Sequence, residues 1–309
     1  MKFFRKMMLM MTLGAGTLLA NDFDVDYTIG AGYRADSLNW SLAHPSGTPD
    51  ILSELTWEDL RMFQMMAEAR VVSCQHIVLR GYADYAIILH GRNQDSDYLE
   101  SHRNLEFSRT NNNAGKGEAF DLSAGTGYQF TWCYERVKFS PMLGFAYRAQ
   151  HLRQYDGFQT IGFVFRDESG GAFGALPGPI NGLHSNYRAR WCGPWFGFDL
   201  SYEASCNLTL YCRFEYHLVT FLGTGHWNLR TDFVRDFRHH AQGCGPLYLI
   251  GADYSVCGTW LLGWRANYQT LSTLHGIDHT FFAQGVAKTR LNSVNWHSFS
   301  TSATLTYSF

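Results

Sequence analysis

Asp95 and Asp97 stand one residue apart in the stretch QDSDY, Gln94 to Tyr98, directly after an alternating apolar run. Two carboxylates at that spacing can share acid and base roles in activating a water, because like charges held close push their proton affinities apart. The same two residues also suit a solvated loop start, since Asp side chains favour turn geometry. Other familiar chemistries find no support. GAGYRADS, Gly30 to Ser37, has glycines but no helix to receive a phosphate. No zinc spacing, Rossmann fingerprint or Ser-x-x-Lys pair occurs, so neither a metal nor a cofactor is expected.

The acids are positioned by strands. FSTSATLTYSF, Phe299 to Phe309, places Phe, Ala, Leu, Tyr and Phe on one face and only Ser or Thr on the other. Leu208, Leu210, Cys212, Phe214, Tyr216 and Leu218 alternate with Thr209, Tyr211, Arg213, Glu215 and His217. Trp260, Leu262, Trp264 and Tyr268 stand opposite Gly263, Arg265, Asn267 and Gln269. Leu122, Ala124, Tyr128 and Phe130 stand opposite Asp121, Ser123 and Gln129, while Arg80, Tyr82 and Asp84 share a side against Leu79, Ala83, Tyr85 and Ile87. Ten strands are expected, over 23–38, 50–72, 76–91, 118–132, 136–151, 184–204, 207–221, 244–256, 259–273 and 293–309. Between them, very short turns alternate with long polar segments near 39–49, 92–117, 152–183, 222–243 and 274–292.

Alternation alone fits a soluble sandwich or a membrane barrel. The terminal Phe309 and the first twenty residues decide between them: Lys2, Arg5 and Lys6 precede an apolar run ending at Ala20, the layout of a secretory signal peptide, although Leu18 departs from the small-x-small cleavage pattern. Residues 1–20 are therefore expected to be a signal peptide and 21–309 a single domain. Aromatic residues make up 16% of the chain and Gly reaches 30 against 7 Pro, a composition that suits many short strands. Closure is the only way a sheet satisfies its backbone in hydrocarbon. The expected fold is thus all-β, a closed antiparallel transmembrane β-barrel in the outer membrane of a Gram-negative-type envelope, with lipid against its apolar face. A net charge of −2 supplies no basic field for nucleic acid.

Arg80, Asp84, Arg213, Glu215, His217 and Arg265 fall on the faces turned to the lumen, where they either line a narrow hydrated path or neutralise one another. Of seven Cys, four (Cys74, Cys133, Cys206 and Cys257) fall in the four short turns, expected on the periplasmic rim. In an oxidising compartment they suit small turn residues or thiols cross-linked to envelope partners.

The arrangement resembles the omptins, ten-stranded outer-membrane barrels with proteolytic members. ILSELTW (Ile51 to Trp57), DSDY (Asp95 to Tyr98), GPWFGF (Gly193 to Phe198), GHW (Gly225 to Trp227) and the closing TYSF carry the likeness. That resemblance implies a catalytic set of Asp95 and Asp97, just beyond the third strand, facing His226, just beyond the seventh. Thr224 stands where the family places the Asp that orients its His. A general base contributes about 10²–10⁴-fold, and Thr brings no charge to support it, so a weak endopeptidase at best is implied unless Asp232 or Asp236 stands in. RGYADYAI (Arg80 to Ile87), NLEFSRTNN (Asn104 to Asn112), YDGFQTI (Tyr155 to Ile161), HWNLRTDF (His226 to Phe233) and TRLNSVNW (Thr289 to Trp296) resemble the porin-like outer-membrane proteins of environmental chlamydiae. This second likeness implies diffusion of small hydrophilic solutes. A purely structural barrel in a disulfide network is the remaining alternative.

Overall fold

A computed structural model describes residues 23–166 and 172–309. The expected signal peptide lies outside the described residues. In chain order the strands are β1 (Phe23–Leu42), β2 (Ser53–Ser73), β3 (Ile77–Glu100), β4 (Asn104–Asn113), β5 (Gly117–Tyr128), β6 (Phe130–Trp132), β7 (Val137–Gly162), β8 (Val164–Arg166), β9 (Ala172–Gly174), β10 (Gly178–Ser205), β11 (Leu208–His226), β12 (Phe233–Cys257), β13 (Trp260–Thr273), β14 (Gly276–Phe282) and β15 (Gly285–Ser308). β4, β5 and β6 stack into one wall, β13 and β14 into another, and β8 pairs only with β9. Every wall is antiparallel to its neighbours, and β1 closes the ring on β15 from Asp26↔Ser308 to Leu42↔Leu291. The result is a closed barrel of ten walls.

Closure leaves one face of each strand outside. Ile29, Leu79, Leu143, Leu210, Ile250 and Leu262 are all more than 40% exposed there, an apolar belt that water would not favour. Aromatic rings border it toward the termini, in the chains Tyr128–Phe130–Trp132–Phe139–Phe198 and Trp260–Tyr307–Phe309–Tyr27. Such girdles mark the interface of a transmembrane barrel. A strand crosses the hydrocarbon in about 9–11 residues. β7 has 26 residues and β10 has 28, so the barrel rises well past the belt.

That rise corrects the expected strand ends. At the short turns the sequence-based limits agree within about three residues, but at the far end β3 continues to Glu100, β10 begins at Gly178 and β12 at Phe233. Most of the expected loops 92–117, 222–243 and 274–292 are strand. Asp95 and Asp97 therefore lie within β3 rather than beyond it, and His226 is the last residue of β11.

Candidate functional site

The lumen is filled in layers. Nearest the termini a polar vestibule of about 450 Å³ is lined by Asp24, Asp26, Arg70, Lys138, Glu203 and Asp253 among others. Above it lies an ion-pair layer. Glu68 accepts from Arg213 at 3.0 Å and Arg265 at 3.2 Å, and Asp199 from Arg213 at 3.1 Å. Arg80 reaches both Asp199 and Glu215, and Glu215 meets His217 Nε2 at 3.0 Å. A second layer surrounds Arg34, whose guanidinium contacts Asp36 at 2.9 Å, Asp84 at 3.1 Å and Asp121 at 3.0 Å. Gln150 and Trp296 donate to Asp36 Oδ2, which also accepts from Arg34 Nη2.

All six expected lumen residues (Arg80, Asp84, Arg213, Glu215, His217 and Arg265) thus face inward and pair within these layers. Arg34, Asp36, Glu68, Asp121 and Asp199 complete them and were not among the expected site residues. A period of two along β1 and β2 was the signal that could have found Arg34 and Glu68.

Higher still, polar residues give way to an apolar layer. Trp40, Trp57, Tyr187, Trp191, Phe221, Phe237 and Trp296 are at most 5% exposed and pack with Leu38, Leu55, Leu60 and Leu152. Trp57 stacks on Tyr187 at 5.3 Å, and the Tyr187 hydroxyl hydrogen-bonds His239 Nδ1 at 2.8 Å. Gly223 and Gly225 make room: a Cβ at either would lie about 2 Å from the Tyr187 hydroxyl or the Phe237 ring. Ring contacts join Trp40 and Trp57 to Tyr187, and Tyr187 to Phe237, at this level of the lumen.

At the mouth, above the belt, Asp95 pairs with Leu55 and Asp97 with Ser53. Directly opposed residues share a face, and Leu55 is fully buried, so both acids point inward. Desolvation, and then the Asp97 charge, raises the carboxyl of Asp95 well above its ordinary range. Desolvation also raises Asp97, opposed by hydrogen bonds from Ser53 and Ser108 and by the Arg230 charge. His226 does not join them. On β11 every second residue from Glu215 to Gly225 is buried, Phe221, Gly223 and Gly225 last among them, which leaves Thr224 and His226 on the outer wall. There His226 Nδ1 meets Asp236 at 2.8 Å with both side chains about half exposed, whereas Asp232 pairs with Arg230. The acids and the histidine that the omptin likeness groups together stand on opposite faces of the wall.

The four turn cysteines Cys74, Cys133, Cys206 and Cys257 are exposed on the rim that also carries both ends of the described chain, Cys257 as the last residue of β12. Cys192, Cys212 and Cys244 are half-buried on outward positions of the strands, and all seven are free thiols. Among the described residues no group of three His, Cys, Asp or Glu is arranged to hold a metal.

Comparison with known proteins agrees with this architecture. The family model described as Protochlamydia outer membrane protein matches residues 28–309. No curated protein matches the sequence. Among solved structures the outer membrane protease OmpT from Escherichia coli aligns with a TM-score of 0.75 at 13% identity, covering 94% of this chain and 97% of its own. The translocator domain of the autotransporter NalP from Neisseria meningitidis aligns at 0.34 and 11% identity, covering 100% and 95%. OprG from Pseudomonas aeruginosa aligns at 0.34 and 11%, covering 92% and 95%. At 13% identity the likeness to OmpT is one of fold alone.

Proposed function

The chain belongs to the Protochlamydia outer membrane protein family, and from that premise we propose that this outer-membrane barrel is porin-like, passing small hydrophilic solutes through a narrow, charged lumen. The observation that carries the reading is the vestibule of about 450 Å³, which leads from the periplasmic rim to a lumen lined by charged and amide side chains. A barrel built only to sit in the membrane gains nothing from burying that many charges, since each costs several kcal/mol to desolvate. Ten walls lie near the small, side-chain-filled end of barrel sizes, so the path is narrow. It conducts only when the aromatic layer parts, as hydrophobic constrictions do in channels.

Planar-bilayer recording tests this. Small stable steps are expected, larger and more frequent in Trp57→Ala, and unchanged by Asp97→Asn or His226→Ala. Silence from the wild type and from Trp57→Ala would overturn the porin reading. A second reading, a purely structural envelope barrel, is favoured by the aromatic layer itself and would then stand. Cleavage of basic peptides, lost in Asp97→Asn, would instead support an endopeptidase.

A further inference from the structure

Between the two ion-pair layers lies a cavity of about 20 Å³ bordered by Asp121, Arg148, Asn267 and Gln269. We infer that it is a binding site for one water molecule, held by these four side chains. The volume suits a single guest, because a water needs roughly 10–15 Å³ on the same measure. Each of the four residues carries one buried polar atom that no protein group reaches: Asp121 Oδ1, Arg148 Nε, Asn267 Oδ1 and Gln269 Nε2.

Asp121 and Arg148 are directly opposed in the register of β5 and β7, which sets their Cβ atoms about 5 Å apart. Both are under 10% exposed, yet among the described residues no ion pair joins them, and Asp121 gives its other oxygen to Arg34 at 3.0 Å. A bridging molecule resolves that mismatch. Arg148, buried and joined by no ion pair among the described residues, would cost more if it were left without a bridge as well.

The donor count identifies the guest. Arg148 and Gln269 offer N–H groups, while Asp121 and Asn267 offer oxygens. Two donors and two acceptors complement the two lone pairs and two hydrogens of water. A cation would face two N–H dipoles, and an anion a carboxylate and an amide oxygen. Turning both amides over exchanges their roles and leaves the count at two and two. The charged groups beside the cavity, Arg80, Arg213 and Glu215, are already committed to partners of opposite sign. The water therefore links the adjacent walls of β5 and β7 to β13 across the lumen, at a level that holds no ion of either sign. The site stands whether or not the barrel conducts.

A crystal structure that resolves waters, from crystals soaked in rubidium bromide, tests it. One peak with contacts of about 2.7–3.2 Å to the four atoms, and no anomalous signal, is expected. Direct contact between Asp121 and Arg148 without a peak would overturn the inference, as would anomalous density for rubidium or bromide. Asn267→Leu, which removes an acceptor at similar volume, should lose the peak and lower the unfolding temperature; Asn267→Asp, which keeps an acceptor, should retain the peak. A peak that survives in Asn267→Leu would also overturn it. The wild-type crystal decides the question even if a variant fails to fold.

Discussion

His226 Nδ1 sits 2.8 Å from an oxygen of Asp236 on the outer wall of the barrel, one strand face away from the lumen into which Asp95 and Asp97 point. Asp236 supplies the carboxylate that Thr224 lacks, but the wall separates this dyad from the two acids. A water held by the acids would lie on the lumen side, away from this imidazole. Fluorogenic basic peptides should accordingly survive incubation with the refolded barrel. Thr224→Asp should not create cleavage, because position 224 shares the outward face of His226. Turnover by the wild type that His226→Ala abolishes would contradict the geometry.

The mouth acids give a pH dependence of definite sign. Asp95 and Asp97 bind their protons more tightly folded than unfolded, since burial raises both. Stability from these groups is therefore full below the unfolded carboxyl value of about 4, falls as pH rises toward their raised folded values, and is flat above them. Asp95→Asn should unfold at a higher temperature than the wild type at neutral pH and lose most of that slope. Thermal melts across the acid range check it, and an identical slope in the variant would remove Asp95 as the cause.

Glu68 holds two guanidiniums, Arg213 and Arg265, with its own side chain only 9% exposed. Glu68→Gln leaves both cations short of countercharge, and breaking a buried pair in this way costs about 3–5 kcal/mol. The double variant Glu68→Leu/Arg213→Met should cost less than the two single changes added together, because it removes charges of both signs. Heat-modified mobility on gels measures each. Additive losses would mean that the pair is not coupled.

At the aromatic layer, Gly225→Ala should destabilise although Ala adds only a methyl group. Its Cβ would lie 2.0 Å from the Phe237 ring, which packs against Trp40 and Trp227. Overpacking of this kind costs about 1–3 kcal/mol. Gly258→Ala, where nothing lies within 4 Å, should also destabilise, but through its φ of +59° rather than through crowding. The two are separated by near-ultraviolet circular dichroism, which only Gly225→Ala should change.

Legibility in the sequence followed what each strand face touches. Leu208 to Leu218 and Trp260 to Tyr268 alternate because lipid lies on one side and charge on the other, so both strands and the lumen positions Arg213, Glu215, His217 and Arg265 were visible. Above the belt both faces meet water or the aromatic layer, and the alternation fades. NLEFSRTNNN, Asn104 to Asn113, has no apolar period, yet it is β4 and pairs with β3 from Arg92↔Asn113 to Glu100↔Asn104. Whether His226 faced in or out was a question of one residue of register, which flips every side chain. Composition cannot report that. Gly223 and Gly225, whose missing side chains admit Tyr187 and Phe237, decide it only once the neighbouring strands are in place.

The rim thiols lead to a final expectation, that covalent partners attach at the periplasmic turns rather than at the mouth. Cys74, Cys133, Cys206 and Cys257 are exposed, free and gathered on one rim, where an oxidising compartment permits disulfides. Successive short turns lie two strands apart, about 10 Å at a strand spacing near 4.8 Å, beyond the ~7 Å Cα limit for a bridge. A ring of intramolecular disulfides would need the turns to lean together, whereas a thiol on another envelope protein needs only to reach the rim. Cys192, Cys212 and Cys244 lie on outward strand positions and offer no comparable access from the periplasm. Non-reducing gels of native envelopes should show high-mass species that collapse on reduction and vanish when the four turn cysteines become Ser. Persistence of those species in the four-Ser protein, or a wild type that runs as a monomer without reductant, would place the covalent chemistry elsewhere.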